Sequence, residues 1–156
     1  MPESVVSCIR VLIQPIDVNY ISLIPQKAHD TDAGYDLMSR IDVEILPNTT
    51  MVIPTGVRVA LPIGYELQIR SRSGLAAKSD IMVLNSPGTV DAGYRGEICV
   101  ILRNMSMTKS FHVLFGMKIA QAVVNKLPDV ELLVMSVNAS LPESARGVNG
   151  FGSTGI

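Results

Sequence analysis

Cysteine is scarce in this chain. The two present, Cys8 and Cys99, match no zinc-ligand spacing and are too few for a disulfide framework, so a reducing compartment and a cytoplasmic protein are expected. Basic surplus is also missing. Charged residues make up 17%, the formal net charge is −1, and Lys and Arg are scattered. A nucleic-acid polymer as the main partner would leave a basic face, so none is expected, whereas a small anion needs only a few local cations. No hydrophobic run is long enough to span a membrane, and Arg10, Gln14, Pro15 and Asp17 break the N-terminal apolar run that a signal peptide would need. There is no internal repeat, no low-complexity tract and no linker that splits the chain. What remains is 156 residues, 47% hydrophobic, enough for one domain with its own core.

The pattern reads as all-β. Short segments alternate or are rich in branched side chains: 8–14, 49–62 as two strands split by Pro54 and Gly56, 65–70, 97–104, 117–126 and 130–136. Nine prolines cut every candidate helix short; the best, "SGLAAKSD" (73–80), has Ser73 as a possible N-cap. The runs "EICVILRN" and "MKIAQAVVNK" are apolar at nearly every position, which predicts strands buried on both faces, in part against other subunits. Near residue 137 the hydrophobic pattern stops. This divides the chain into a compact body, 1–136, and an arm, 137–156.

Five stretches can carry chemistry. "DAGYDL" (32–37) holds Asp36, readable alone as an acidic turn residue. "IRSRSGLAAK" (69–78) sets Arg70, Arg72, Ser71 and Ser73 at a helix start, where free N–H groups favour an anion. "NSPGTVDAGYRGE" (85–97) reads as a hairpin carrying Asp91, Tyr94 and Arg95. "GMKIAQ" (116–121) puts Gln121 in an apolar strand, where it must find hydrogen-bond partners. The end, "SARGVNGFGSTGI", combines four glycines with Arg, Phe, Ser and Thr. That chemistry suits phosphate, although no P-loop context surrounds it and a disordered tail is the plain alternative.

In this order and at this spacing, "AGYDL", "RSGLA", "GTVDAGYRGE", "G-x-K-I-A-Q" and "RGVNGFGSTG" resemble the five motifs of the trimeric dUTP pyrophosphatases, or dUTPases, over roughly residues 30 to 156. The resemblance implies a jelly-roll-like (β-clip) domain with one short helix, a flexible C-terminal arm and a homotrimer with sites shared between subunits. It also implies conversion of dUTP to dUMP and pyrophosphate with Mg²⁺, which limits uracil entry into DNA and supplies dUMP for dTMP synthesis. Asp91 would be the general base for in-line attack of water on the α-phosphorus. Tyr94 would pack under the deoxyribose and exclude a 2′-hydroxyl. Main-chain groups of Gly88, Thr89 and Val90 would read uracil, with Asn85 assisting. Arg72, Ser73 and Gly74 would hold phosphate oxygens, Gln121 would contact the α-phosphate region, and Asp36 would act on Mg²⁺ through water or organise the site. In the arm, Phe151 would stack on uracil while Arg146, Gly152, Ser153 and Thr154 close on the β- and γ-phosphates.

The chain departs from the family pattern at Ser71, Gly93, Met117-Lys118 and Asn149, and Ser71 and Gly93 would loosen the local backbone. Two other readings share the body: a dCTP deaminase-type enzyme, which needs a catalytic Glu, and a nucleotide-sensing module that acts on a protein partner.

Overall fold

Alternating side chains and closely spaced turns resolve into eleven short strands and one α-helix among the described residues, 8–149, of the computed structural model. In chain order these are β1 (Leu12–Pro15), β2 (Tyr35–Met38), β3 (Val43–Ile45), β4 (Thr50–Pro54), β5 (Val57–Ala60), β6 (Tyr65–Arg70), α1 (Ser73–Ser79), β7 (Ile81–Val83), β8 (Gly88–Val90), β9 (Cys99–Asn104), β10 (Phe111–Val113) and β11 (Lys118–Lys126). A 3-10 helix, Val18–Leu23, follows β1, started by the Asp17 carboxylate accepting from the Asn19 N–H. The all-β expectation holds. No helix among the described residues is long and apolar enough to cross a membrane.

One sheet runs β2-β11-β6-β8, a second β4-β9-β7, and β1–β5 and β3–β10 pair separately, all antiparallel. The core between them is aliphatic, with Ile53, Val57, Val100, Leu102 and Val113 fully buried. Among the described residues every buried side-chain polar atom has a partner. Buried Asn104, for example, donates to the carbonyls of Ile45 and Lys109.

Several local expectations need correction. The strand expected at 97–104 begins only at Cys99, and within this one chain Val100, Leu102 and Asn104 of β9 point inward while Ile101 and Arg103 are half-buried. In β11, by contrast, Ile119, Ala120, Ala122 and Val123 are all buried. The 85–97 segment is not a paired hairpin, because β8 bonds to β6 and β9 to β4 and β7, so the chain crosses from one sheet to the other. Ser73 does not cap α1. Arg72 holds the N-cap position with extended backbone, and Ser73 is the first helical residue. Finally, 130–136 forms no strand. Regular pairing ends at Lys126, no neighbouring ladder reaches this stretch, and Val130, Leu132, Leu133 and Val134 remain exposed.

Candidate functional site

The first cluster lies where β2, β11 and β6 run side by side. The register sets Asp36 opposite Gln121 and Gln121 opposite Arg70. Just past β6, Arg72 brings Nε within 3.3 Å of Asp36 Oδ1 and donates from Nη1 to the Lys118 carbonyl at 2.8 Å. Lys118 Nζ lies 2.7 Å from the other Asp36 oxygen. Gln121 donates to the Ser71 carbonyl at 3.0 Å, which answers how a glutamine is satisfied in an apolar strand. Its Oε1 crowds Gly34, where a Cβ would fall 2.6 Å away, so only glycine fits there without moving Gln121. Ser71 does not loosen this region: its hydroxyl accepts from the Val83 N–H at 2.9 Å and ties the end of β6 to β7. α1 has no side-chain cap, so its first N–H groups beside Ser73 and Gly74 stay open, and a Cβ on Gly74 would meet nothing.

A second cluster forms around β8. Here a pocket of about 220 Å³ is lined by Thr89, Val90, Asp91, Tyr94, Glu97, Ile98 and Cys99. β8 is the edge strand of its sheet, bonded only to β6, so one side of its backbone offers unpaired N–H and C=O groups. Gly88 and Val90 are buried, while Thr89 is exposed. Asn85 packs on Gly88: a Cβ there would lie 3.2 Å from its Nδ2. After β8 the chain turns, with the Tyr94 N–H donating to the Asp91 carbonyl at 3.0 Å, and the Asp91 side chain stands exposed at the pocket edge. Tyr94 folds back over Gly96 and donates its hydroxyl to the Glu97 carbonyl at 2.9 Å.

Sequence reasoning missed what holds this second cluster. Glu97 accepts from Arg40 Nε at 2.6 Å and Nη2 at 3.1 Å, and from the Gly56 N–H at 2.7 Å. Burial alone would raise the Glu97 pKa, but the Arg40 hydrogen bond, the Gly56 N–H and the Arg40 charge outweigh it and leave the pKa lowered. The Glu97 hydrogen bond in turn raises that of Arg40. Burial and then the charge of Glu97 push the Cys99 thiol up, which disfavours the thiolate and argues against a cysteine nucleophile. Arg40 lies 57 residues from Glu97, and no local signal joins them. Lys118 was legible only as a departure from the family pattern, and Gly34 only as part of the "AGYDL" motif, with no partner indicated for either.

The two clusters are not brought together within one chain. Arg72 lies beyond the C-terminal end of β6, while Val90 pairs with Leu67 and Asp91 continues toward the N-terminal end. Six residues of strand, at roughly 3.3 Å each, put about 20 Å between the two positions. Arg146 lies in a stretch with local turns, its Nε donating to the Asn149 carbonyl. Phe151, Gly152, Ser153 and Thr154 lie outside the described residues.

No group of three or more His, Cys, Asp or Glu side chains that could hold a metal occurs among the described residues. Both oxygens of Asp36 are engaged by cations. This donor set does not fit a resident Mg²⁺ site; it fits the organising role for Asp36.

The family model for dUTPase matches residues 21–155. Among curated proteins, the chain is 49% identical over 138 residues to a deoxyuridine 5′-triphosphate nucleotidohydrolase from Clostridium novyi, covering 88% of this chain and 94% of that one. It is 46% identical over 147 residues to the same-named protein of Helicobacter pylori, covering 94% and 97%. Among solved structures, a Staphylococcus bacteriophage 80alpha dUTPase with dUpNHpp superposes with a TM-score of 0.82 at 28% identity, covering 94% of this chain and 99% of that one. A dUTPase from phage phi11 of S. aureus, described as coordinating a structural Mg(II) ion, gives 0.74 at 25% identity over 83% and 98%.

Proposed function

The chain belongs to the dUTPase family, and from that premise we propose that it hydrolyses dUTP to dUMP and pyrophosphate at sites assembled between copies of itself. One observation carries the reading. An exposed carboxylate, Asp91, stands at a pocket beside the free edge of β8 and the ring of Tyr94. Uracil presents one N–H donor between two carbonyl acceptors, and an edge strand offers the complementary backbone groups. Gly88, Thr89 and Val90 read the base in this way, with Asn85 closing the end. Tyr94 underlies the sugar and leaves no room for a 2′-hydroxyl.

Arg72, Ser73 and the N–H groups at the start of α1 bind phosphate oxygens, and Gln121 stands beside the α-phosphate. The water oxygen attacks the α-phosphorus as the bridging oxygen leaves with pyrophosphate, and Asp91 takes the water proton. Magnesium carried by the triphosphate would offset part of its charge, in keeping with the preference of this ion for phosphate and water over a protein cage. Asp36 organises the cradle. Arg146, Phe151, Gly152, Ser153 and Thr154, in the 137–156 arm, close over the nucleotide.

Separation of Asp91 from Arg72 supports a shared site, because a base must come within hydrogen-bond reach of the water it deprotonates. The exposed apolar stretch 130–136 supports a partner as well, and a homotrimer is the assembly we assign. The deaminase alternative requires a free glutamate. Glu97, the only glutamate of the 85–97 segment, is committed to Arg40 and Gly56. Pyrophosphate release measured side by side with dUTP, dTTP, dCTP and UTP tests the proposal. Turnover of dUTP alone is expected; ammonia release from dCTP, or no turnover of dUTP, would overturn it.

A further inference from the structure

Lys118 enters none of the steps above, yet its placement is costly to explain as ordinary strand packing. Between Lys118 and Ala120, β11 carries one residue more than β2 opposite it: Lys118 faces Met38 and Ala120 faces Leu37. Side chains alternate along a strand, so in an unbroken ladder Lys118 would lie on the opposite face from Gln121. The bulge re-aims it to the face that Gln121 and Asp36 share, a use bulges often serve beside active sites. There its ammonium meets Asp36 Oδ2 at 2.7 Å, while Oδ1 faces Arg72 Nε at 3.3 Å.

We propose that Lys118 is a positioning residue for phosphate binding: by taking one oxygen of Asp36 it leaves Arg72 held in place but not neutralised. The inference rests on the dUTP reading above and deepens it. Arg72 and Asp36 alone would form a neutral pair, and an incoming triphosphate would compete with a carboxylate for the guanidinium. With Lys118 the cluster carries a net positive charge. The Asp36 side chain is only 15% exposed, so its charge is weakly screened and its sharing matters. The tether from Arg72 Nη1 to the Lys118 carbonyl fixes the guanidinium through the same residue's backbone, and that tether survives a change of side chain. Lys118 thus supplies charge while its backbone supplies aim.

Lys118→Met keeps the apolar stem and removes the charge; Lys118→Arg restores it. For Lys118→Met, the KM for dUTP and the Kd for inorganic pyrophosphate, measured by calorimetry, are expected to rise about tenfold, the size of one charge-assisted contact. The kcat should change less than about threefold, and the effect should shrink at high salt as screening replaces the lost charge. Affinity for 2′-deoxyuridine, which has no phosphate, should not move, and Lys118→Arg should recover both constants. Unchanged pyrophosphate affinity, a parallel loss for 2′-deoxyuridine, or failure of Lys118→Arg to rescue would each reduce Lys118 to a structural residue and overturn the proposal. Pyrophosphate binding needs no turnover. A wild-type protein that does not hydrolyse dUTP would therefore defeat the functional reading while the charge-sharing test still decides on Lys118.

Discussion

The cradle around Arg72 and the pocket beside Asp91 are built on opposite terms. In the cradle, Arg72 and Gln121 are already held: Arg72 by the Asp36 carboxylate and the Lys118 carbonyl, and Gln121 by the Ser71 carbonyl. Beside Asp91 the fixed groups are the supports, Glu97 with Arg40 and Gly56, while Asp91 itself stands exposed. In the proposed arrangement, a single chain therefore holds a finished anion site and an unfinished catalytic one. Binding groups gain from being held in advance. The base, in the proposed arrangement, meets its reactant on another subunit.

The sharpest way to break this contrast is Asp91→Asn. We expect kcat to fall roughly 10²–10⁴-fold, the usual size of a general-base contribution, with dUTP binding retained. Burst-free steady-state kinetics at saturating dUTP would check it, and near-normal turnover would remove Asp91 from the role.

Mixing comes next. Chains carrying Asp91→Asn and chains carrying Arg72→Ala should each be nearly inactive. After subunit exchange, about a quarter of the sites should combine an intact carboxylate with an intact arginine, as random pairing in a ring dictates. Mixtures that stay inactive after mass spectrometry has verified exchange would place both groups in one subunit's site.

A smaller effect is expected at Gly96. A Cβ there would lie 2.6 Å from Tyr94 Cζ, and closer still to the hydroxyl oxygen. The ring is half-exposed and can swing away, so Gly96→Ala should leave the melting temperature nearly unchanged. The dUTP/UTP ratio of kcat/KM should fall about tenfold, the scale of a lost packing contact in a specificity pocket. An unmoved ratio would mean that Tyr94 does not set sugar selection.

The least effect concerns pH. Because the native Glu97 pKa is lowered, its stabilising contribution is complete above the ordinary glutamate value of 4.5 and is lost as pH falls through the lowered value. Glu97→Gln should therefore melt below the wild type at neutral pH, and the gap should close in acid. A gap that widens on acidification would contradict the assignment.

Much of this was legible from the chain. The strand at 65–70 has the boundaries its alternation predicts, and the helix falls one residue short of 73–80 because Asp80 takes a left-handed turn. Five ordered motifs pointed to the family that the comparisons identify. What escaped depends on pairing rather than on sequence. Nothing in 85–97 says that β8 bonds backward to β6 while β9 joins the other sheet. Nothing in "GMKIAQ" marks a bulge, because one extra residue in a ladder is visible only against its partner strand. The stretch 130–136 has the composition of a strand, but composition cannot say which ladder receives it.

The shortness of β8 has one more consequence. An open strand edge is a template on which foreign or misfolded chains can stack, and edges of this kind seed aggregation unless something blunts them. β8 has three residues, with Pro87 just before it and the turn closed by Tyr94 just after. Three residues of free backbone span a single base but give another polypeptide too little ladder to hold. The protein can leave this edge, where base recognition is proposed, bare without inviting fibre growth there.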